Sequence, residues 1–226
     1  MWLNAPADTI RPMSAYTSHP TPRLILLNGS SSAGKTTLAH KLQQLLPEPW
    51  QHIALDQFRD GMPGRFRGFN SPPGSPGASG LNIVPLDTDE GRLTHIQFGD
   101  HGERMLKGMR RAIACFASSG NNVIIDDLLF KRDYLIDYVD ALQGLETWFI
   151  GVRCSHDVVQ EREAKRPGRF PGTAISHYRQ VHAHGAAYDL EVDTSATSPR
   201  ACAEAIIERL NAPPEVFPCF ARNVLP

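Results

Sequence analysis

The sequence predicts an α/β protein with a parallel sheet covered by helices on both faces. Three observations predict it. Short, continuous apolar runs alternate with segments of helical composition, the pattern of strands buried on both sides. A glycine- and serine-rich turn joins the first apolar run to the first helical segment. Acidic residues (Asp56, Asp126, Asp127) follow directly on two later runs, and ligands of such sheets bind beyond the strand C-termini.

In chain order, the first strand is expected over Arg23–Asn28, and a helix from Lys35 to Leu46 is stopped by Pro47 and Pro49. His52–Leu55 forms a short strand that delivers Asp56 at its end. From Gly61 to Pro85 glycines alternate with prolines, which excludes a long helix or a central strand and suits a lid or mobile segment. Asn82–Val84 and Leu93–Phe98 suggest a small hairpin turning at Asp89-Glu90-Gly91. A helix from His101 to Ser118 carries Met105, Met109, Ala112, Ile113 and Phe116 at helical spacing. A buried strand, Asn122–Ile125, ends at Asp126-Asp127, followed by a helix over Arg132–Leu142 and a strand over Thr147–Arg153. Ser155 caps a helix to Lys165, and a helix over Ala174–His184 precedes a last strand, Leu190–Val192. Ser198 as cap and Pro199 at the first helical position open the final helix, to Leu210.

The length of 226 residues suits one domain, expected over 23–212. Residues 61–99 read as an insertion and 162–172 as a lid, with a loosely ordered leader over 1–22 and a tail over 213–226. Met13 offers an alternative start, and Trp148, Phe149, Val216, Phe217, Phe220, Val224 and Leu225 suit docking on the domain or on another subunit. With 41% hydrophobic and 21% charged residues and a net charge of −1, nothing marks a nucleic-acid or membrane surface. Neither a secretory signal pattern nor an apolar run of membrane-spanning length occurs. Cys115, Cys154, Cys202 and Cys219 form no C-x-x-C pair; Cys115 and Cys154 read as buried thiols, which suits a reducing cytoplasm.

The turn after the first strand, Gly29-Ser30-Ser31-Ser32-Ala33-Gly34-Lys35-Thr36, fits the phosphate-binding loop pattern, and Thr37 continues it into the helix. Backbone N–H groups curl around an anion there, and the helix N-terminus adds partial positive charge. Lys35 neutralises the β- and γ-phosphates, and Thr36 offers its hydroxyl to Mg²⁺. The expected cofactors are therefore ATP and Mg²⁺.

Phosphoryl transfer needs positioning and charge neutralisation more than covalent chemistry. Asp56 suits the partner of an acceptor hydroxyl, against its competing reading as an ordinary turn residue. Asp126 is favoured for the metal with Asp127 as the alternative, and helix capping competes for either. Arg162, Arg166 and Arg169, with Lys165, suit a lid that closes over phosphates, against a solvated helix end. His177, His182 and His184 raise a metal reading, but the two-residue spacing of the last pair sends them apart on a helix. Arg65, Phe66, Arg67 and Phe69 suit either acceptor contacts or loop anchoring.

Several stretches resemble the chloramphenicol phosphotransferase family of small P-loop kinases. They are Leu27–Lys35, Leu46-Pro47-Glu48-Pro49-Trp50, Ile124–Asp127, Gly151-Val152-Arg153-Cys154 and Tyr188–Thr194. The resemblance implies a three-layer, nucleoside-kinase-like fold with a five-stranded sheet, Asp56 as catalytic carboxylate, Lys35 and Thr36 on phosphate and magnesium, and lid arginines among Arg162, Arg166 and Arg169. It implies transfer of the γ-phosphate of ATP to a hydroxyl of chloramphenicol or a related compound, and so antibiotic resistance. The Gly61–Pro85 stretch is longer and richer in proline than the family pattern, where the acceptor pocket lies. A toxin-like nucleotide-sugar kinase and a nucleotide-dependent switch are alternatives; the second lacks the Asn-Lys-x-Asp segment of a GTPase. Assembly into a homo-oligomer stays open.

Overall fold

The computed structural model describes residues 21–88, 91–166 and 172–224. In chain order its elements are β1 (Arg23–Asn28), α1 (Lys35–Leu45), β2 (Trp50–Ala54), α2 (Leu55–Asp60), β3 (Arg67–Phe69), α3 (Pro76–Ser79), β4 (Leu81–Thr88) and β5 (Gly91–Phe98). Then follow α4 (Asp100–Ser118), β6 (Asn122–Asp127), α5 (Arg132–Ala141), β7 (Glu146–Arg153), α6 (His156–Ala164), α7 (Thr173–Ser176), β8 (Leu190–Asp193), α8 (Pro199–Arg209) and α9 (Val216–Val224). Five strands form one sheet in the order β2-β6-β1-β7-β8, with every pair parallel.

Side chains alternate across a strand, so each run feeds two cores. Ile25, Leu27, Ile124, Ile150 and Val152 face Leu38 and Leu42 of α1, Val159 of α6 and Ile206 of α8. Leu24, Leu26, Val123, Ile125 and Phe149 face Leu106, Met109 and Ile113 of α4, Leu135 and Tyr138 of α5, and Phe217 and Phe220 of α9. Each such side chain contributes roughly 1.5–3 kcal/mol when fully buried. The tail thus docks on the domain itself.

Several expectations are corrected. The buried stripe of α4 is Leu106, Met109, Ile113 and Ala117 with Arg110, whereas Ala112 and Phe116 are exposed. Cys115 lies on that outer side and is exposed. The segment over 174–184 is not one helix: α7 stops at Ser176, and a 3-10 turn covers Gln180–His182. Ser176 Oγ donates to Thr173 O at 2.8 Å and to Thr94 O at 2.7 Å, the side-chain competition that discourages helix propagation. Ser155 occupies the cap position of α6 without a side-chain capping bond, whereas Ser198 caps α8 through Ala201 N. The leader over 1–20, the turn residues Asp89 and Glu90, lid positions 167–171 with Arg169, and Leu225 lie outside the described residues.

The Gly/Pro-rich stretch is built rather than loose. Its β3 and β5 flank β4 in a second, three-stranded sheet, and the hairpin pairs over Leu81–Thr88 and Gly91–Phe98. Glycine serves close packing here, since a Cβ on Gly80 would stand 2.0 Å from Phe66 O. Pro85, expected to exclude a central strand, sits in the middle one. It does so because β3 pairs only with Leu81–Ile83, leaving β4 a single neighbour at Pro85.

Candidate functional site

The loop after β1 is shaped by its backbone. Ser32 has φ 62° and Gly34 has φ 92°, and a Cβ on Gly29 would lie 2.4 Å from Val152 O of β7. No side chain caps α1, so its first N–H groups face the cleft without a capping acceptor, and no acidic residue occupies its first turn. Ser32 Oγ is buried without a hydrogen-bond partner among the described residues. A curled run of amides, an uncapped helix and an orphan hydroxyl fit a phosphate group.

Lys35 Nζ donates to Gly29 O and Ser30 O, both at 3.0 Å, and lies 3.6 Å from Asp126 Oδ1. Thr36 Oγ1 donates to Asp126 Oδ2 at 2.7 Å. Burial works to raise the Asp126 carboxyl, yet the Lys35 charge, with Thr36 and His52 beside it, holds it below the usual carboxylate range. A hydroxyl and an ionised carboxylate this close fit a hard divalent cation such as Mg²⁺. Asp56 is the second residue of α2, just past β2 rather than at its tip. Gln57 Oε1 accepts from Ala54 N at 3.0 Å and closes that turn, and Asp56 Oδ1 accepts from Arg59 Nη1 at 2.7 Å.

A cleft of about 710 Å³ brings together Ser31, Ser32, Gly34–Thr37, His52, Asp56, Asp126, Arg162, Lys165, Arg166 and Thr194. Three acidic residues were expected to converge; two do. Asp127 points through the sheet to the opposite layer, because consecutive strand residues face opposite sides. There it is 1% exposed and accepts from Tyr138 Oη and Leu128 N at 2.7 Å each. Burial raises its carboxyl, against the pull of Arg110. Arg110, also 1% exposed, donates to Asp137 Oδ2 at 2.8 Å and lies over the rings of Tyr134 and Tyr138.

Arg162 lines the cleft and is tied to the loop through Thr194: its guanidinium donates to Thr194 Oγ1 at 3.2 Å and Thr194 O at 2.8 Å, while Thr194 Oγ1 donates to Ala33 O at 2.6 Å. Glu163, next in sequence but buried, accepts from Gly172 N and Ala174 N, tying α7 to α6.

The three histidines do separate work. His177 Nε2 accepts from Ser31 N of the phosphate loop at 3.2 Å. His184 Nδ1 accepts from Ala186 N, so its Nε2 carries the proton and donates to Tyr188 Oη at 2.8 Å. Tyr188 Oη also accepts from Asn28 Nδ2 at 2.8 Å, which leaves its own proton for His182 Nδ1 at 2.6 Å. Asn28 closes the network by donating to Val181 O and accepting from Leu129 N. This hub joins the ends of β1 and β6 to the segment before β8. Sequence reading missed His52, Arg59, Thr194 and Tyr188 as parts of the site's frame. A histidine on a strand two residues from Ala54, which pairs with Asp126, was the one available signal.

The sequence profile described as chloramphenicol phosphotransferase-like protein matches residues 22–211. In two strains of Mycobacterium tuberculosis a relative named "Putative O-phosphotransferase" is 32% identical over 212 residues, covering 89% of this chain and 88% of the relative. Among solved structures, a sugar kinase from Janibacter sp. HTCC2649 superposes with a TM-score of 0.59 at 20% identity, over 84% of this chain and 95% of that one. The APS kinase CysC of Mycobacterium tuberculosis, in complex with AMPPNP and APS, gives 0.59 at 14% identity, over 85% and 99%. These structural likenesses show the fold.

Proposed function

This chain belongs to the chloramphenicol phosphotransferase-like family, and we propose that it is an ATP-dependent O-phosphotransferase acting on a hydroxyl of a small molecule, chloramphenicol or a related compound. One observation carries the reading: the phosphate loop, Asp126 and Asp56 line the same cleft. Asp56 orients the acceptor hydroxyl and takes its proton as oxygen bonds to the γ-phosphorus and the bond to the β–γ bridging oxygen breaks. Lys35 and the loop amides hold the phosphates, with Gly29–Thr37 as the cradle, and Arg162, Arg166 and Arg169 close on them from the lid. Thr36 and Asp126 would hold Mg²⁺, which neutralises the charge spreading over the phosphate oxygens. A cytoplasmic location belongs to the same reading; among the described residues no helix is long and apolar enough to cross a membrane.

The test is calorimetry with Mg²⁺·ATP, followed by γ-labelled ATP and a panel of hydroxylated acceptors that includes chloramphenicol. Label on chloramphenicol is the expected result. Absence of ATP binding by folded protein would sink the reading, and label only on another acceptor would reassign the substrate.

A further inference from the structure

One imidazole in the cleft has so far figured only as a neighbour of Asp126. His52 Nε2 is shut off from solvent, has no hydrogen-bond partner among the described residues, and lies 3.7 Å from Asp126 Oδ2, beyond hydrogen-bond reach. The same oxygen receives the Thr36 hydroxyl at 2.7 Å. The imidazole is braced by His40, whose ring stands edge-on at 5.4 Å and 87°. A buried nitrogen left unmatched costs free energy unless a ligand satisfies it.

We propose that His52 Nε2 is a nitrogen donor to the divalent cation of Thr36 and Asp126, so that the site favours a borderline transition ion such as Co²⁺ more than an all-oxygen site does. The inference rests on the nucleotide reading above. Ligands about 2.1 Å from one octahedral ion stand about 3 Å apart when adjacent and about 4 Å apart when opposite. The observed 2.7 and 3.7 Å separations from Asp126 Oδ2 lie within the about 4 Å that two donors to one ion can span. Imidazole suits Co²⁺ and its neighbours, whereas Mg²⁺ prefers carboxylate, hydroxyl and water.

Pulsed electron paramagnetic resonance of Mn²⁺·ADP on the wild-type protein, grown with and without ¹⁵N-histidine, tests this without a mutation. A histidine-nitrogen coupling that changes with the label supports the proposal; Mn²⁺·ADP bound with no such coupling overturns it. In calorimetry, His52→Phe is expected to weaken Co²⁺·ADP on the order of tenfold and Mg²⁺·ADP by clearly less. Equal effects on the two ions would also overturn it. If wild-type protein takes up no metal–ADP at all, the nucleotide reading itself fails and takes this inference with it.

Discussion

On the loop side of the cleft Lys35 is 7% and Asp126 10% exposed, and the side chains contact one another through the loop's own atoms. Across from them Asp56, Arg59, Asp60 and Arg67 are 26% to 59% exposed and hold one another by ion pairs. Charges on the first side interact in a low dielectric and are costly to disturb; those on the second are screened by water. The difference suggests a division of labour: a rigid half that fixes the phosphate chemistry, and a soft half in which acceptor choice is free to change.

The largest effect tests the rigid half. Lys35→Ala removes the only cation of the loop and is expected to lower phosphate transfer by about 10³-fold or more. It also leaves Asp126 buried without its main counter-charge. Steady-state rates with the best acceptor check this, and activity within tenfold of wild type would end the claim that the loop carries the chemistry.

Asp56→Asn separates the two halves. It is expected to cost transfer about 10²–10⁴-fold, the range of general acid–base catalysis, with ATP affinity unchanged by calorimetry. A parallel fall in ATP affinity would show the acceptor side to be part of the nucleotide site, and the comparison would collapse.

A third test concerns the hub behind the loop. Burial pushes the His182 and His184 imidazoles down to about 4. The folded state therefore keeps both neutral, and the unfolded chain binds more protons below its ordinary histidine range. Their contribution is fully present above about pH 6.5 and is lost as pH falls towards 4. Linkage gives about 2 kcal/mol for each imidazole between pH 7.5 and 5. Discounted for solvent screening, urea titrations at the two pH values are expected to differ by about 2–4 kcal/mol. Tyr188→Phe strips the acceptor and donor both rings use, and is expected to cost about 1–3 kcal/mol at pH 7.5. An unchanged stability at both pH values would show that the hub holds nothing.

Much of this was legible. The strand, loop and helix over Arg23–Leu45 announce themselves by apolar run, glycine spacing and stop signals, and β6 by an apolar run closed with acid. Even the parting of Asp126 and Asp127 is contained in the two-residue period of a strand. What could not be read lies at long range. His177 meets Ser31 across 146 positions, and Asn28 meets Tyr188 across 160. Arg110 enters the core only because Asp137 and two tyrosine rings from α5 receive it, so composition alone put the α4 stripe on Ala112 and Phe116 instead. The Gly/Pro stretch misled because glycine permits close packing as well as freedom, and composition does not distinguish the two.

The smallest effect sharpens the comparison most. Arg59 holds Asp56 Oδ1 with one nitrogen and Asp60 with another, and Arg67 of β3 reaches Asp60 at 3.8 Å, so surface charges link the built insertion to Asp56, the proposed acceptor carboxylate. Exposed pairs are worth about 0–1 kcal/mol, so Arg59→Met is expected to leave unfolding within 1 kcal/mol of wild type. Loosening the Asp56 carboxylate, however, costs aim at the acceptor and not at the nucleotide. The expected signature is a modest rise in KM for the acceptor with KM for ATP unchanged, and Arg59→Lys restores part of it, since an ammonium replaces the charge but not the fork. A loss of stability as large as that of Tyr188→Phe would place Arg59 in the rigid half and erase the boundary drawn between the two sides.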